Sequence, residues 1–174
     1  MLYLDKSQRR ILLEHVAPDA APFVRALCLL PLRPGAMVSL AAGDFDKRTN
    51  ELTIAKDKAG GKRRILLPKE AAALFAMHAK AKLPAAPVFM HANGNPWDRN
   101  TWSDAIESAA KAADLPKGTT AYTLRHSTIT DLVSVGLPLL TIAQISGTSA
   151  EMIERHYGHL ASDAAIKALG ELAL

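Results

Sequence analysis

Residues 51–67 read Glu51-Leu52-Thr53-Ile54-Ala55-Lys56-Asp57-Lys58-Ala59-Gly60-Gly61-Lys62-Arg63-Arg64-Ile65-Leu66-Leu67. Two short apolar-rich runs, 51–55 and 63–67, flank a basic stretch that carries a pair of glycines. Runs of this length read as strands, and a glycine-containing connection between them reads as a hairpin with a charged tip. Nothing else in the chain reads as strand, so this stretch separates a purely helical chain from a mixed one.

Outward from the hairpin the pattern is helical. Upstream, Asp5-Lys6-Ser7 is a helix-start signal, and Ile11, Leu12 and Val16 follow at helical spacing. A second, strongly apolar helix is expected from Ala21 to Leu30, stopped by Pro31, with Arg33-Pro34-Gly35 as a turn. Downstream, helices are expected over Glu70–Lys82, Arg99–Ala113, Thr123–Val135 and from Pro138 to near Gly147. Ser149 caps a further helix through His156, and Ser162–Leu174 forms a final amphipathic one. Trp97 and Trp102 are assigned to the core. The expected fold class is α+β and mainly α-helical: one domain over residues 1–174 with a small antiparallel sheet.

Composition narrows the function classes. The 174 residues are 49% apolar and 22% charged, a globular balance, and aromatic content of only 5% disfavours an all-β fold. Lys and Arg number 21 against 17 Asp and Glu, a mild excess compatible with a polyanionic partner. The single cysteine, Cys28, lies in an apolar run and reads as a small buried hydrophobe. It has no disulfide partner and belongs to no Cys/His ligand set, so no metal site is expected and the chain suits a reducing cytoplasm. The longest apolar region, near residues 26–32, is too short to cross a membrane.

Four residues stand out for their chemistry: Arg33 after an apolar helix, Lys58 in the hairpin, Arg125 near a helix start, and Tyr157 near a helix end. Their separations alone do not bring them together. Their surrounding motifs do. Leu32-Arg33-Pro34-Gly35, then Lys58 with Gly60-Gly61-Lys62, Tyr122-Thr123-Leu124-Arg125-His126-Ser127, Ser146-Gly147-Thr148-Ser149, and Arg155-His156-Tyr157-Gly158-His159 follow in order. That ordered set resembles the catalytic domain of the tyrosine recombinase (phage integrase) family over residues 5–165, and implies that the chain is the C-terminal part of a longer recombinase.

The resemblance implies a reaction. Arg33 and Arg125 would clamp a scissile DNA phosphate, for which the planar guanidinium fork is suited. Lys58 would protonate the leaving 5′ oxygen, with Lys56 and Lys62 as close competitors. Tyr157 would attack phosphorus and hold a 3′-phosphotyrosyl link. No metal or other cofactor is implied. Double-stranded DNA is the implied partner, with four protomers assembling on two segments. Lys56, Lys62, Arg63 and Arg64 would contact the DNA backbone.

Departures from the family pattern fall in the same region. Tyr122 and Thr148 stand where the family has histidines, and Ala36 where it has an acid. A phenol and a hydroxyl donate hydrogen bonds but are not bases near neutral pH. His126 is assigned a structural place in its helix. His159 either touches the phosphate or orients Tyr157. The altered set defines either a variant active site or a DNA-binding module that has lost activity; a third alternative is the same chemistry without site specificity, as in a type IB topoisomerase.

Overall fold

Asp5 closes the first helix by a reciprocal cap. Its carboxylate accepts the Gln8 backbone N–H while the Gln8 side chain accepts the Asp5 N–H. In the computed structural model, which describes residues 1–55 and 62–172, the elements run α1 (Lys6–His15), α2 (Ala21–Leu29), α3 (Pro34–Val38), a 3-10 turn (Ala42–Asp44), β1 (Phe45–Asp46), β2 (Glu51–Ile54), β3 (Arg63–Leu66), α4 (Lys69–Ala79), α5 (Arg99–Ala112), α6 (Ala121–Ser134), α7 (Leu139–Ser146) and α8 (Ala150–Gly170). The mainly helical α+β class is as expected.

The sheet is an antiparallel meander, β1-β2-β3, with Leu52 opposite both Phe45 and Ile65, and Ile54 opposite Arg63. Side chains alternate between the faces of a strand. Leu52, Ile54 and Ile65 therefore share the buried face, and Arg63, two residues from Ile65, shares it too. Arg64 points the other way, to solvent, where its Nε lies 3.3 Å from a Glu51 carboxylate oxygen. Alternation splits the basic run: one arginine turns inward and its neighbour outward.

Two apolar clusters hold the chain together. The larger is centred on α2, whose Phe23 ring lies within 6.5 Å of the rings of Phe89, Trp97 and Trp102. The smaller joins Ile129 and Val133 of α6, Ile142 and Ala143 of α7, and Ile153 and Tyr157 of α8. α6 serves both, through Ala121 and Leu124 at its start and Ile129 and Val133 beyond. Polar latches fix the N-terminal segment along α6: Leu4 N–H donates to Ser127 Oγ at 2.9 Å, Tyr3 donates to Asp131 at 2.8 Å, and Arg9 pairs with the same carboxylate.

Several boundaries differ from the sequence expectation. Arg33-Pro34-Gly35 opens a helix instead of forming a plain turn, because Pro34 sits at the first helical position where its fixed φ helps and its missing N–H costs nothing. Strand β1 was not expected; two residues are too few to show a period. The helix expected over 70–82 ends at Ala79, and Lys82 instead donates to the carbonyls of Pro87 and Val88. α6 starts at Ala121, ahead of the expected Thr123, because Thr120 and Thr123 form a reciprocal cap. The largest difference is α8, one helix of 21 residues where two were expected. Ile153, Tyr157, Leu160 and Ala161 form one continuous apolar stripe, and this packing outweighs the roughly 1 kcal/mol that Gly158 costs inside a helix.

Asp131 is the acceptor for two side chains, one of them the buried Arg9. Asp131→Ala leaves that guanidinium without its counter-charge and is expected to lower stability by about 2–3 kcal/mol. Arg155→Ala, which breaks an exposed i,i+4 pair with Glu151, is expected to cost less than about 0.5 kcal/mol. Urea denaturation of the two variants checks the contrast.

Candidate active site

A helix ends with carbonyls that its own N–H groups cannot reach, and they carry the negative end of its dipole. At the end of α7, Gly147 adopts a left-handed conformation (φ 71°) and the N–H groups of Gly147 and Thr148 both return to Ala143 O. The carbonyls of Ile145, Ser146 and Gly147 are then met by arginines from three other elements. Arg63, at the start of β3, donates through Nε to Ile145 O at 3.3 Å. Arg125, in the second turn of α6, donates through Nη1 to Ser146 O at 2.9 Å and Pro31 O at 2.7 Å. Arg33, the residue before α3, donates through Nη1 to Gly147 O at 2.5 Å. Arg63 packs so closely that a Cβ on Gly147 would fall 2.5 Å from its Nη2.

The cations act on one another. Arg125 is buried, and burial, then the charges of Arg33 and Arg63, bring its pKa down to about 10, against the opposing pull of Tyr157 and Tyr122. It remains charged near neutral pH. Both carbonyls it meets are neutral, so its charge is available to an anion. Arg125 lies near the start of α6, as expected, but its guanidinium reaches away to the C-terminal end of α7.

Tyr157 lies in the middle of α8 rather than near its end, and is only 5% exposed. Burial raises its pKa above the usual phenol value, and Arg125 partly opposes the rise. Its hydroxyl lies 2.5 Å from Nδ1 of His126 and 3.6 Å from the sulfur of Met1. The contact between His126 and Tyr157 was not legible in the sequence, where the two stand 31 residues apart.

The remaining candidates sit in different places. Tyr122 is exposed and lines a cavity of about 740 Å³ together with Arg33, Ala36, Arg99 and Trp102. Two positions that depart from the family pattern, 36 and 122, therefore border one space. Thr148 is half-buried directly after Gly147. His159 is exposed, about 200° around α8 from Tyr157, because the helix continues through Gly158 instead of ending there. Lys62 and Arg64 are exposed at the base of the hairpin. Lys56 and Lys58 lie outside the described residues. Cys28 is packed against the larger cluster, and burial pushes its thiol up to about 12, so it is no nucleophile near neutral pH.

The model of the phage integrase family matches residues 4–163. The chain belongs to that family. Solved structures share the fold of this integrase-family chain: XerA recombinase, at a TM-score of 0.77 and 20% identity over 98% of the chain and 63% of that protein; the Tn1549 transposon integrase in complex with transposon right end DNA, at 0.82 and 20% over 99% and 66%; and the catalytic domain of bacteriophage HP1 integrase, at 0.70 and 22% over 98% and 94%. The chain spans about two thirds of the first two proteins and nearly all of the HP1 catalytic domain. No curated protein matches. Among the described residues no helix is long and apolar enough to cross a membrane.

In this phage integrase family member, Gly147 is in contact with both Arg33 and Arg63. Gly147→Ala forces a Cβ onto a left-handed backbone and into the Arg63 guanidinium. It is expected to cost at least about 1–2 kcal/mol, seen as a lowered Tm in thermal unfolding; an unchanged Tm would show that the end of α7 yields freely.

Proposed function

We propose that this chain is the catalytic domain of a site-specific DNA recombinase that cuts and rejoins duplex DNA through Tyr157. The observation that carries the reading is the convergence of Arg33 and Arg125 on the last carbonyls of α7, with the charge of Arg125 acting directly on Tyr157.

Tyr157 attacks the scissile phosphorus, forming a 3′-phosphotyrosyl link and expelling the 5′ oxygen. Arg33 and Arg125 neutralise the charge that grows on the non-bridging oxygens. Lys58 protonates the departing oxygen. Tyr122 and Thr148 donate hydroxyl hydrogen bonds where the family has histidines, and Lys56, Lys62 and Arg64 reach the DNA backbone. Rejoining is the reverse displacement, with the bond energy kept in the phosphotyrosine. Family membership supports four protomers acting on two DNA segments in the cytoplasm.

The altered positions 36, 122 and 148 keep the inactive DNA-binding module in view as a second reading, and covalent trapping separates the two. On nicked suicide duplexes tiled across the DNA flanking its own gene, the chain is expected to form a denaturation-resistant adduct that Tyr157→Phe abolishes. Absence of an adduct on every duplex, with DNA binding intact, would support the inactive module. Arg33→Ala and Arg125→Lys are each expected to slow adduct formation by about 10²–10³-fold with much smaller effects on gel-shift affinity. Lysine is used at 125 so that a cation still faces Pro31 O and Ser146 O.

Tyr122→Phe removes one hydroxyl and keeps the ring. A loss of about tenfold in cleavage rate is expected if that hydroxyl donates to the phosphate. An unchanged rate would place Tyr122 outside the site.

A further inference from the structure

The hydroxyl of the nucleophile needs somewhere to put its proton, and the reading above leaves this step unassigned. Tyr122 and Thr148 cannot take it, being no bases near neutral pH. The Met1 thioether, 3.6 Å away, is at most a weak acceptor. The imidazole of His126 is the one titratable base in hydrogen-bond contact with Tyr157 Oη among the described residues, at 2.5 Å from Nδ1.

We propose that His126 is the proton acceptor for Tyr157, taking over a step that no histidine at position 122 or 148 can perform. As Oη bonds to phosphorus and the bond from phosphorus to the 5′ oxygen breaks, the phenolic proton passes to Nδ1. The 5′ oxygen leaves with a proton from the general acid. On rejoining, the 5′ hydroxyl attacks phosphorus and returns its proton to that acid. The bond from phosphorus to Oη breaks, and Oη recovers its proton from the imidazolium. The inference rests on the recombinase reading.

The placement has a structural cause. His126 follows Arg125 on α6, so the helix that delivers the buried guanidinium also sets an imidazole one residue on. α8 packs against α6 through Ile153 and Tyr157, which brings the phenol to the imidazole. The charged or titratable groups facing His126 are Arg125 on its own helix, His156 and Tyr157 on α8, and the α-amino group of Met1. Burial, then the positive charges of Arg125, His156 and the amino group, hold the His126 pKa below its ordinary value. The free protein therefore carries a neutral imidazole near pH 7, the form able to accept. A phosphate anion seated on the arginines would favour the imidazolium that forms as Tyr157 loses its proton.

The test uses the full chain and the nicked duplex that the wild type cleaves. Single-turnover adduct formation is followed between about pH 5 and 8, the range in which a histidine titrates. The wild-type rate is expected to fall as pH falls through the His126 pKa, because a protonated imidazole cannot accept. His126→Asn and His126→Gln keep a polar group of similar reach but no base near neutral pH. Each is expected to slow the reaction by about 10²–10⁴-fold and to lose the acid-side limb, with DNA binding and Tm near wild type. A duplex with sulfur in place of the bridging 5′ oxygen supplies a leaving group that needs no acid; it is expected to leave the His126 variants defective while rescuing a Lys58 variant.

Three results would overturn the inference: a wild-type rate flat below neutral pH, a wild-type rate in His126→Asn, or rescue of the His126 variants by the sulfur-bridged duplex. The flat profile is read on the wild type, so the inference stays testable even if the variants fold poorly. Failure of the parent reading looks different, since the wild type then forms no adduct at Tyr157 at all.

Discussion

The last three residues of the α7 turn, Ile145 to Gly147, impose the constraint on which the site depends. Their carbonyls have no helical partners, and burial makes unmet acceptors costly, by about 1–3 kcal/mol each. The fold meets them with guanidinium groups drawn from the residue before α3, from β3 and from α6. Like charges would normally keep such groups apart. Here the carbonyl oxygens of one helix end accept from all three, close to a tyrosine. The contacts that satisfy the α7 end and the phosphate clamp proposed for Arg33 and Arg125 are thus one arrangement seen from two sides.

Much of the fold was legible because local signals agreed. The Asp5 cap, the apolar spacing of α1, the Pro31 stop and the hairpin runs each have a short-range cause. What escaped has a long-range cause. Gly158 reads locally as a break, yet α8 runs through it because its stripe is buried against α6 and α7. That single fact relocates Tyr157 from a helix end to a helix middle and turns His159 to solvent. Arg63 and Arg64 read as one basic cluster, and only the register Ile54–Arg63 shows that the first faces inward, half-buried.

The site was legible in a different way. Arg33, Arg125 and Tyr157 were found through ordered motifs, not through any spacing that physics would favour, and the fold explains why the order matters. Three of the motifs meet at the α7 terminus, which is itself one of them: the residue before α3 and the second turn of α6 donate to its carbonyls. His126 was assigned a structural place in its helix because its contact with Tyr157 exists only once α8 is laid on α6. Positions 36 and 122 sit far apart in the sequence, yet both border the cavity beside Arg33.

Tyr157 also belongs to the smaller apolar cluster, whose buried members among the described residues come from α6, α7 and α8. In the proposed reaction, a ring packed in this cluster must also bond to an outside atom, which would couple reactivity to local breathing. The larger cluster, built around α2, contains none of the α8 side chains. For that reaction, the separation of the two clusters would let the surroundings of Tyr157 loosen while the larger one stays packed. Esterification of the phenol to DNA, in the proposed reaction, would make the same ring a tether, and the helix that carries it the arm by which the broken strand is held.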